Sequence, residues 1–311
     1  MQQSGRLVFR ISDLVRQGMS PDQIQKLKRE GSYSAVRHGA VVEGPLAKDL
    51  RSRQIELIQA TLPALSKAPG VLTHTSAVAL LGLPMTNRGA EQVWLNRPRG
   101  SSKHRRPQII TRACALEPDE IMRIGSYLVT SPERTAVDMA REFDFPTGVM
   151  IADAVLRGSG SVERMQELLR RAPRRRGNVM AQAVAAFADG RSESPGESLM
   201  RAQLELHQCP APDLQVGICT PLGEFVARCD FGWPNQRVVG EYDGPQKYGR
   251  LLKPGQTVSD VVVHEKEREA NIRDQGWEII RFCRADLRNP VAAAARLIRL
   301  LDSRSPQRRG A

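Results

Sequence analysis

Asp230, Glu241, Asp243 and Lys247 fall within one short stretch, "RCDFGWPNQRVVGEYDGPQKYGR", residues 228–250. The apolar runs around them read as two strands, where carboxylates are depleted. Like charges placed together also repel once they are buried. With "WPNQ" as the turn, antiparallel pairing brings Asp230, at the end of one strand, near Glu241, at the end of the next. Two such carboxylates suit a hard divalent cation, Mg2+ or Mn2+, which takes oxygen ligands and keeps several waters. The ion would polarise a phosphoryl oxygen and activate a water for in-line attack, and it would relieve the repulsion. A cation beside the phosphate would stabilise the charge that develops there. Lys247 is the nearest in sequence, with Lys266 and Arg268 further on.

Glu197 is a further candidate acid. It also has a structural explanation, because "SPGE" at 194–197 is a capping box before an apolar helix. Asp243-Gly244 doubles as a turn signal. Arg268 can pair with Glu265 or Asp274 on a solvated helix face.

The elements that must hold these residues begin near Ser192. A helix over "SPGESLMRAQLELHQ" is followed by strands at "QVGI", "FVARCDFGW" and "RVVGEYDG". A charged helix, "VVVHEKEREANIRDQG", stops at Gly276; the strand "WEIIRF" and the helix "PVAAAARLIRLL" close the chain. At the other end, Ile11, Leu14 and Val15 sit at helical spacing and Gly18 breaks the pattern. Ser20 is an N-cap, Pro21 suits the first helical position and Gly31 ends the second helix. "YSAVRHGAVV" then alternates like a hairpin. Helix, turn, helix, hairpin is the order of a winged helix-turn-helix. Gln25, Lys26, Lys28 and Arg29 on the second helix, with Arg37 on the hairpin, are types that contact bases and phosphates. The middle reads as alternating helices and strands, with a basic loop at 97–106. Arg134 and Asp138 sit four apart on a helix, a stabilising pair rather than a site. "RRAPRRRGN", 170–178, holds five arginines and reads as a basic hinge.

A net charge of +12 over 311 residues fits a phosphate-rich partner, DNA above all. Aromatic residues are 5% of the chain, too few for base stacking to dominate. No stretch is apolar enough for a signal peptide or a membrane span, so a cytoplasmic protein with no membrane partner is expected. The five cysteines form no CxxC pair and are expected as reduced, mostly buried thiols.

The ordered set Glu197, Asp230, Glu241-x-Asp243-Gly244, Lys247, Glu265-x-x-Arg268, Gly276 and "IIRF" resembles the PD-(D/E)XK nucleases of the restriction-endonuclease-like superfamily. The branch it resembles is the one related to very-short-patch-repair endonucleases. The resemblance covers about the last 120 residues. It implies a catalytic group of Asp230, Glu241, Asp243, Lys247, Glu197 and Arg268, with metal on Asp230 and Glu241. Three positions depart from it: Asp243 stands in the superfamily's Lys position, Lys247 in the branch's His position and Glu265 where Asp is usual.

"ISDLVRQGMSPDQIQKLKREGSYSAVRHGAVV" resembles the winged-helix domain of AbiEi-type antitoxins, and "LVTSPERTAVDMARE" with "IADAVLRG" resembles the region behind it. That resemblance implies DNA binding, repression of the protein's own operon and a cognate toxin partner. The expected fold is mixed α/β: a winged helix-turn-helix over 1–45, an antitoxin-like α/β region over 46–176, and a linker over 177–191. A restriction-endonuclease-like domain with a central mixed sheet follows over 192–305, then a basic tail over 306–311. Three functions remain open: a metal-dependent endonuclease with a DNA reader, a DNA-binding antitoxin or regulator with an inactive nuclease fold, and a non-enzymatic interaction scaffold.

Overall fold

The structure, a computed structural model, describes residues 6–65, 70–97, 108–244 and 258–305. The chain divides into two compact units, Met1–Glu142 with Glu163–Ala181, and Phe143–Val162 with Gln182–Ala311.

The first unit opens with β1 (Val8–Arg10), α1 (Ile11–Arg16), α2 (Pro21–Arg29), β2 (Tyr33–Arg37) and β3 (Ala40–Glu43). Ser20 and Gln23 exchange hydrogen bonds at the start of α2: Gln23 N–H donates to Ser20 Oγ at 3.2 Å and Ser20 N–H to Gln23 Oε1 at 2.8 Å. Such a box typically stabilises a helix by about 1 kcal/mol. The hairpin gains a strand the sequence reading did not include, because β1 pairs antiparallel with the far side of β3. Leu14, Ile24 and Val41 form the small core beneath. Val15, expected on the apolar face of α1, is exposed instead.

The remainder of this unit holds α3 (Leu50–Thr61), β4 (Val71–Leu72), α4 (His74–Leu81), β5 (Val93–Asn96), β6 (Ile109–Arg112), β7 (Ile121–Ile124), β8 (Tyr127–Thr130) and α5 (Pro132–Glu142). The strands form one mixed sheet in the order β6-β5-β4-β8-β7. Ile58, Ala77, Leu72, Leu95 and Val129 pack between this sheet and the helices. Of the basic loop, Arg99, Lys103, Arg105 and Arg106 lie outside the described residues.

Three helices follow: α6 (Phe145–Arg157), α7 (Val162–Arg171) and α8 (Asn178–Phe187). Helix α6 belongs to the second unit and α7, from Glu163 on, to the first. The stretch 177–191, read from sequence as a linker, is helical over α8.

The second unit continues with α9 (Pro195–Leu206), β9 (Asp213–Cys219), β10 (Phe225–Trp233), β11 (Val238–Asp243), α10 (Val258–Asp274), β12 (Glu278–Cys283), α11 (Arg284–Arg288) and α12 (Pro290–Arg304). Its sheet runs β12-β11-β10-β9. The first three strands in sequence pair antiparallel, while β11 and β12 are parallel, a geometry that needs a crossover such as α10. One face packs Met200, Phe231, Trp233, Phe282 and Leu297; the other packs Ile218, Cys229, Val239 and Ile272. Gly196 lets α9 lie against β11, since a Cβ there would fall 2.0 Å from the Tyr242 ring. Cys219 and Cys283 are exposed and only Cys209 and Cys229 are buried, so the thiols are not mostly buried as expected.

Candidate functional site

The acids of the opening motif sit where β10 and β11 part. Their ladder runs from Trp233 opposite Val238 to Phe231 opposite Gly240, one residue short of each acid. There Asp230 Oδ2 accepts the Tyr242 N–H at 2.8 Å. Glu241 is buried at 3% exposure, yet it is not left with only acids for neighbours. Arg268, reaching from α10, places Nη2 2.7 Å from both Glu241 carboxylate oxygens. Arg268 also donates to Glu265 at 2.6 Å. Arg281 on β12 donates to Asp243 at 2.9 Å, binds Glu265, and lies 2.6 Å from Glu269 and 3.6 Å from Glu241. Hydrogen bonds from Arg268, helped by Arg281 and opposed by burial, hold Glu265 down at about 2. Burial, then the Glu241 charge, pushes the Cys229 thiol up to about 12.

The repulsion expected among these acids is therefore relieved by two guanidinium groups. Guanidinium nitrogens thus lie against Glu241 and Asp243, while Asp230, the other acid expected to hold metal, accepts a backbone N–H. Among the described residues, no group of three or more His, Cys, Asp or Glu side chains is arranged to hold a metal ion. Arg268, expected beside a scissile phosphate, is committed to Glu241 and Glu265. Lys247 lies outside the described residues. Lys266 is exposed on α10.

Glu197 lies in the first turn of α9. Ser194 Oγ accepts the Glu197 N–H at 3.2 Å, as the capping motif requires. The returning half goes one residue further back than in a capping box, with Glu193 N–H donating to Glu197 Oε2 at 2.8 Å. The same oxygen accepts from Gln215 Nε2 at 3.1 Å.

On α2, Gln25, Lys26 and Arg29 are exposed and Lys28 is half-buried. Ile24 anchors the opposite side of the helix. Lys26 has only a loose pairing, 3.9 Å from Glu30. Arg37 differs from these residues. It is half-buried, with Nε and Nη1 out of contact with solvent, so it is less open to a phosphate than the α2 side chains.

The Arg134–Asp138 pair expected on α5 forms, and it lies at the centre of a buried polar cluster. Arg134 is 4% exposed; its Nε donates to Asp138 at 2.9 Å, Nη1 binds Glu120, and Nη2 meets Cys114 Sγ at 3.4 Å. Asp138 also receives Arg141 at 3.2 Å and lies 3.5 Å from Arg175. Burial works against ionising Asp138, but His74, Arg134 and Arg175 more than offset it and hold its pKa below the ordinary value. His74, at a left-handed φ of 48°, stacks on Trp94 with ring centroids 4.5 Å apart. Burial lowers its pKa to about 4, although Asp138 and Glu142 pull the other way.

The His74 shift carries a pH dependence. In the unfolded chain a His takes up its proton near pH 6.5. Between that value and about 4 the unfolded state binds the extra proton, so stability is full above pH 6.5 and falls as pH drops toward 4. The loss should be on the order of 3 kcal/mol by pH 4. His74→Asn, which tolerates the left-handed backbone, should flatten this slope. Urea unfolding of both proteins across pH 4–7 checks it, and parallel profiles would remove His74 as the source.

Residues 68–186 match the family model of the AbiEi antitoxin C-terminal domain. The chain is also similar to two curated proteins of Mycobacterium tuberculosis, "Uncharacterized protein MT2308" of strain CDC 1551 / Oshkosh and "Uncharacterized protein Rv2248" of strain ATCC 25618 / H37Rv. Each is 34% identical over 184 residues, 58% of this chain and 65% of the relative. The chain thus spans slightly less than two-thirds of the length of these relatives. The matched region contains the whole Arg134–Asp138 cluster. None of the described helices is long and apolar enough to cross a membrane.

Proposed function

We propose that this protein is a DNA-binding regulator of the antitoxin type, with a nuclease-like second unit that does not cleave. The AbiEi match over residues 68–186 is the observation that carries this reading. It favours a protein whose work is to bind a duplex and a cognate toxin. In this reading, residues 8–43 act as a winged helix-turn-helix, with Gln25, Lys26, Lys28 and Arg29 facing DNA. The exposure of α2 and the net charge of +12 support that role.

The second unit runs, from α9, as a helix, three antiparallel strands, a helix and a parallel fourth strand. Arg268 and Arg281, closed on Glu241, Asp243 and Glu265, favour a retired site over a working one. Placing a bare phosphodiester beside these acids would first require the arginines to let go of them.

One pair of assays tests the reading. Labelled duplex from upstream of the protein's own coding sequence should bind more tightly than an unrelated duplex of equal length, with steep salt dependence. The same protein with Mg2+ or Mn2+ should leave single- and double-stranded DNA and RNA intact. Cleavage that is stopped by a chelator and lost in both Asp230→Asn and Glu241→Gln would overturn the proposal in favour of the endonuclease.

A further inference from the structure

The five-arginine run at 170–178 does more than connect elements. In the first unit, a cavity of about 330 Å3 is lined by four arginines, Arg112, Arg141, Arg175 and Arg176, against two carboxylates, Asp138 and Glu142. His74 also faces it. The two carboxylates are already used. Asp138 takes Arg134, Arg141 and Arg175, and Glu142 takes Arg112 at 2.6 Å. Arg112 is further held over the Trp94 ring at 5.3 Å. What remains is an excess of two positive charges and unspent donors.

Two donors stand out. The Arg141 side chain is 5% exposed, fixed by Asp138 and by Asn178 at 2.8 Å, and its Nη2 is buried without a hydrogen-bond partner. An unsatisfied buried donor of this kind is uncommon and calls for an explanation. Arg176 is exposed at the rim and makes no ion pair among the described residues.

We propose that this cavity binds a phosphate group. A phosphate monoester near neutral pH carries close to two negative charges and three strong acceptor oxygens, which matches both the surplus charge and the idle donors. Guanidinium forks fit phosphate in shape as well as in charge. A carboxylate ligand would neutralise half of the excess. Arg141 and Arg175 also line a neighbouring cavity of about 720 Å3, which leaves room for the remainder of a phosphate ester. The site is separate from α2 and does not rest on the DNA reading.

Isothermal titration of the full chain with pyrophosphate, at ionic strength held constant with sodium chloride, is the test. Saturable one-site binding is expected. Arg176→Gln should weaken it about tenfold, and Arg175→Gln with Arg176→Gln together about a hundredfold. Arg174→Gln, an exposed neighbour that does not line the cavity, should bind like wild type. If the double variant fails to fold, Arg176→Gln alone decides, since its side chain is at the surface. No saturable binding, equal affinity in Arg176→Gln, or an equal loss in Arg174→Gln would overturn the proposal. A repeat titration with saturating duplex DNA separates the sources of the phosphate. Competition assigns it to a nucleic-acid backbone and independent binding to a free ester; either result supports the site.

Discussion

Arg134→Ala should destabilise the first unit by about 3–5 kcal/mol, the cost of leaving buried carboxylates without their counter-charge. Asp138 is 1% exposed and Glu120 is 4% exposed, so neither can turn to water when the guanidinium is removed. Burial already works against ionisation of Asp138, and Arg141 and Arg175 at 3.2 and 3.5 Å are the only described arginine partners left to it. The value of the network lies in being complete. Replacing Asp138 as well should not recover the loss, because Asp138→Leu leaves Arg141, itself 5% exposed, without its counter-charge. Hydrogen exchange resolved over residues 108–142 gives the readout, because the second unit has its own core and need not unfold with the first. A loss below about 1 kcal/mol in the single variant would place the cluster with ordinary surface pairs.

Removing Lys26, Lys28 and Arg29 together, each to Ala, should lower duplex affinity roughly a hundredfold at 50 mM salt. The slope of log affinity against log salt should become shallower by up to about 0.9 for each lost phosphate contact. The fold should survive, since Ala is the best helix former and the capping box and Ile24 are untouched. Gln25→Ala should act differently, narrowing the gap between preferred and unrelated duplexes more than it changes the salt slope. Fluorescence anisotropy between 50 and 200 mM salt measures both quantities. An unchanged slope in the triple variant would mean that α2 does not face the DNA.

Local signals in the sequence were legible where the structure depends on local chemistry. Ser20, Pro21 and Gly31 bound α2, Ser194 starts α9, and Gly276 ends α10, because caps and left-handed glycines act within a few residues. The antiparallel pairing of the strands that carry Asp230 and Glu241 was also readable, since one short turn joins them. The closing of the acids by Arg281 was not. It depends on β12 running parallel to β11, some 40 residues later, and spacing alone does not fix that pairing. The pairing of Arg134 with Asp138 was readable from their spacing, but its burial was not, for a related reason. A four-residue spacing looks the same on a wet helix face and a buried one, and Glu120 and Arg175, arriving from elsewhere, distinguish the two. Glu197 shows the converse: the motif named the right residue, and the structure gave its carboxylate to the Glu193 backbone and to Gln215.

The order in which residues leave the ribosome gives a different significance to the way α6 and α7 alternate between the units. The first unit needs residues 163–181, so it cannot be completed when Glu142 has been made; it must wait for about 40 further residues. Those residues include α6, whose Asp153 awaits Arg201, a partner synthesised 48 residues later and bound to it at 2.8 Å. For that interval a nascent chain carries an unfinished first unit and an acid whose partner has not yet been made. A gene fragment beginning at residue 192 inherits the opposite defect, with Arg201 present and Asp153 missing. The natural cut for biochemistry is thus not the one a linear reading places at 191, and fragments starting there should be handled as incomplete proteins rather than as domains.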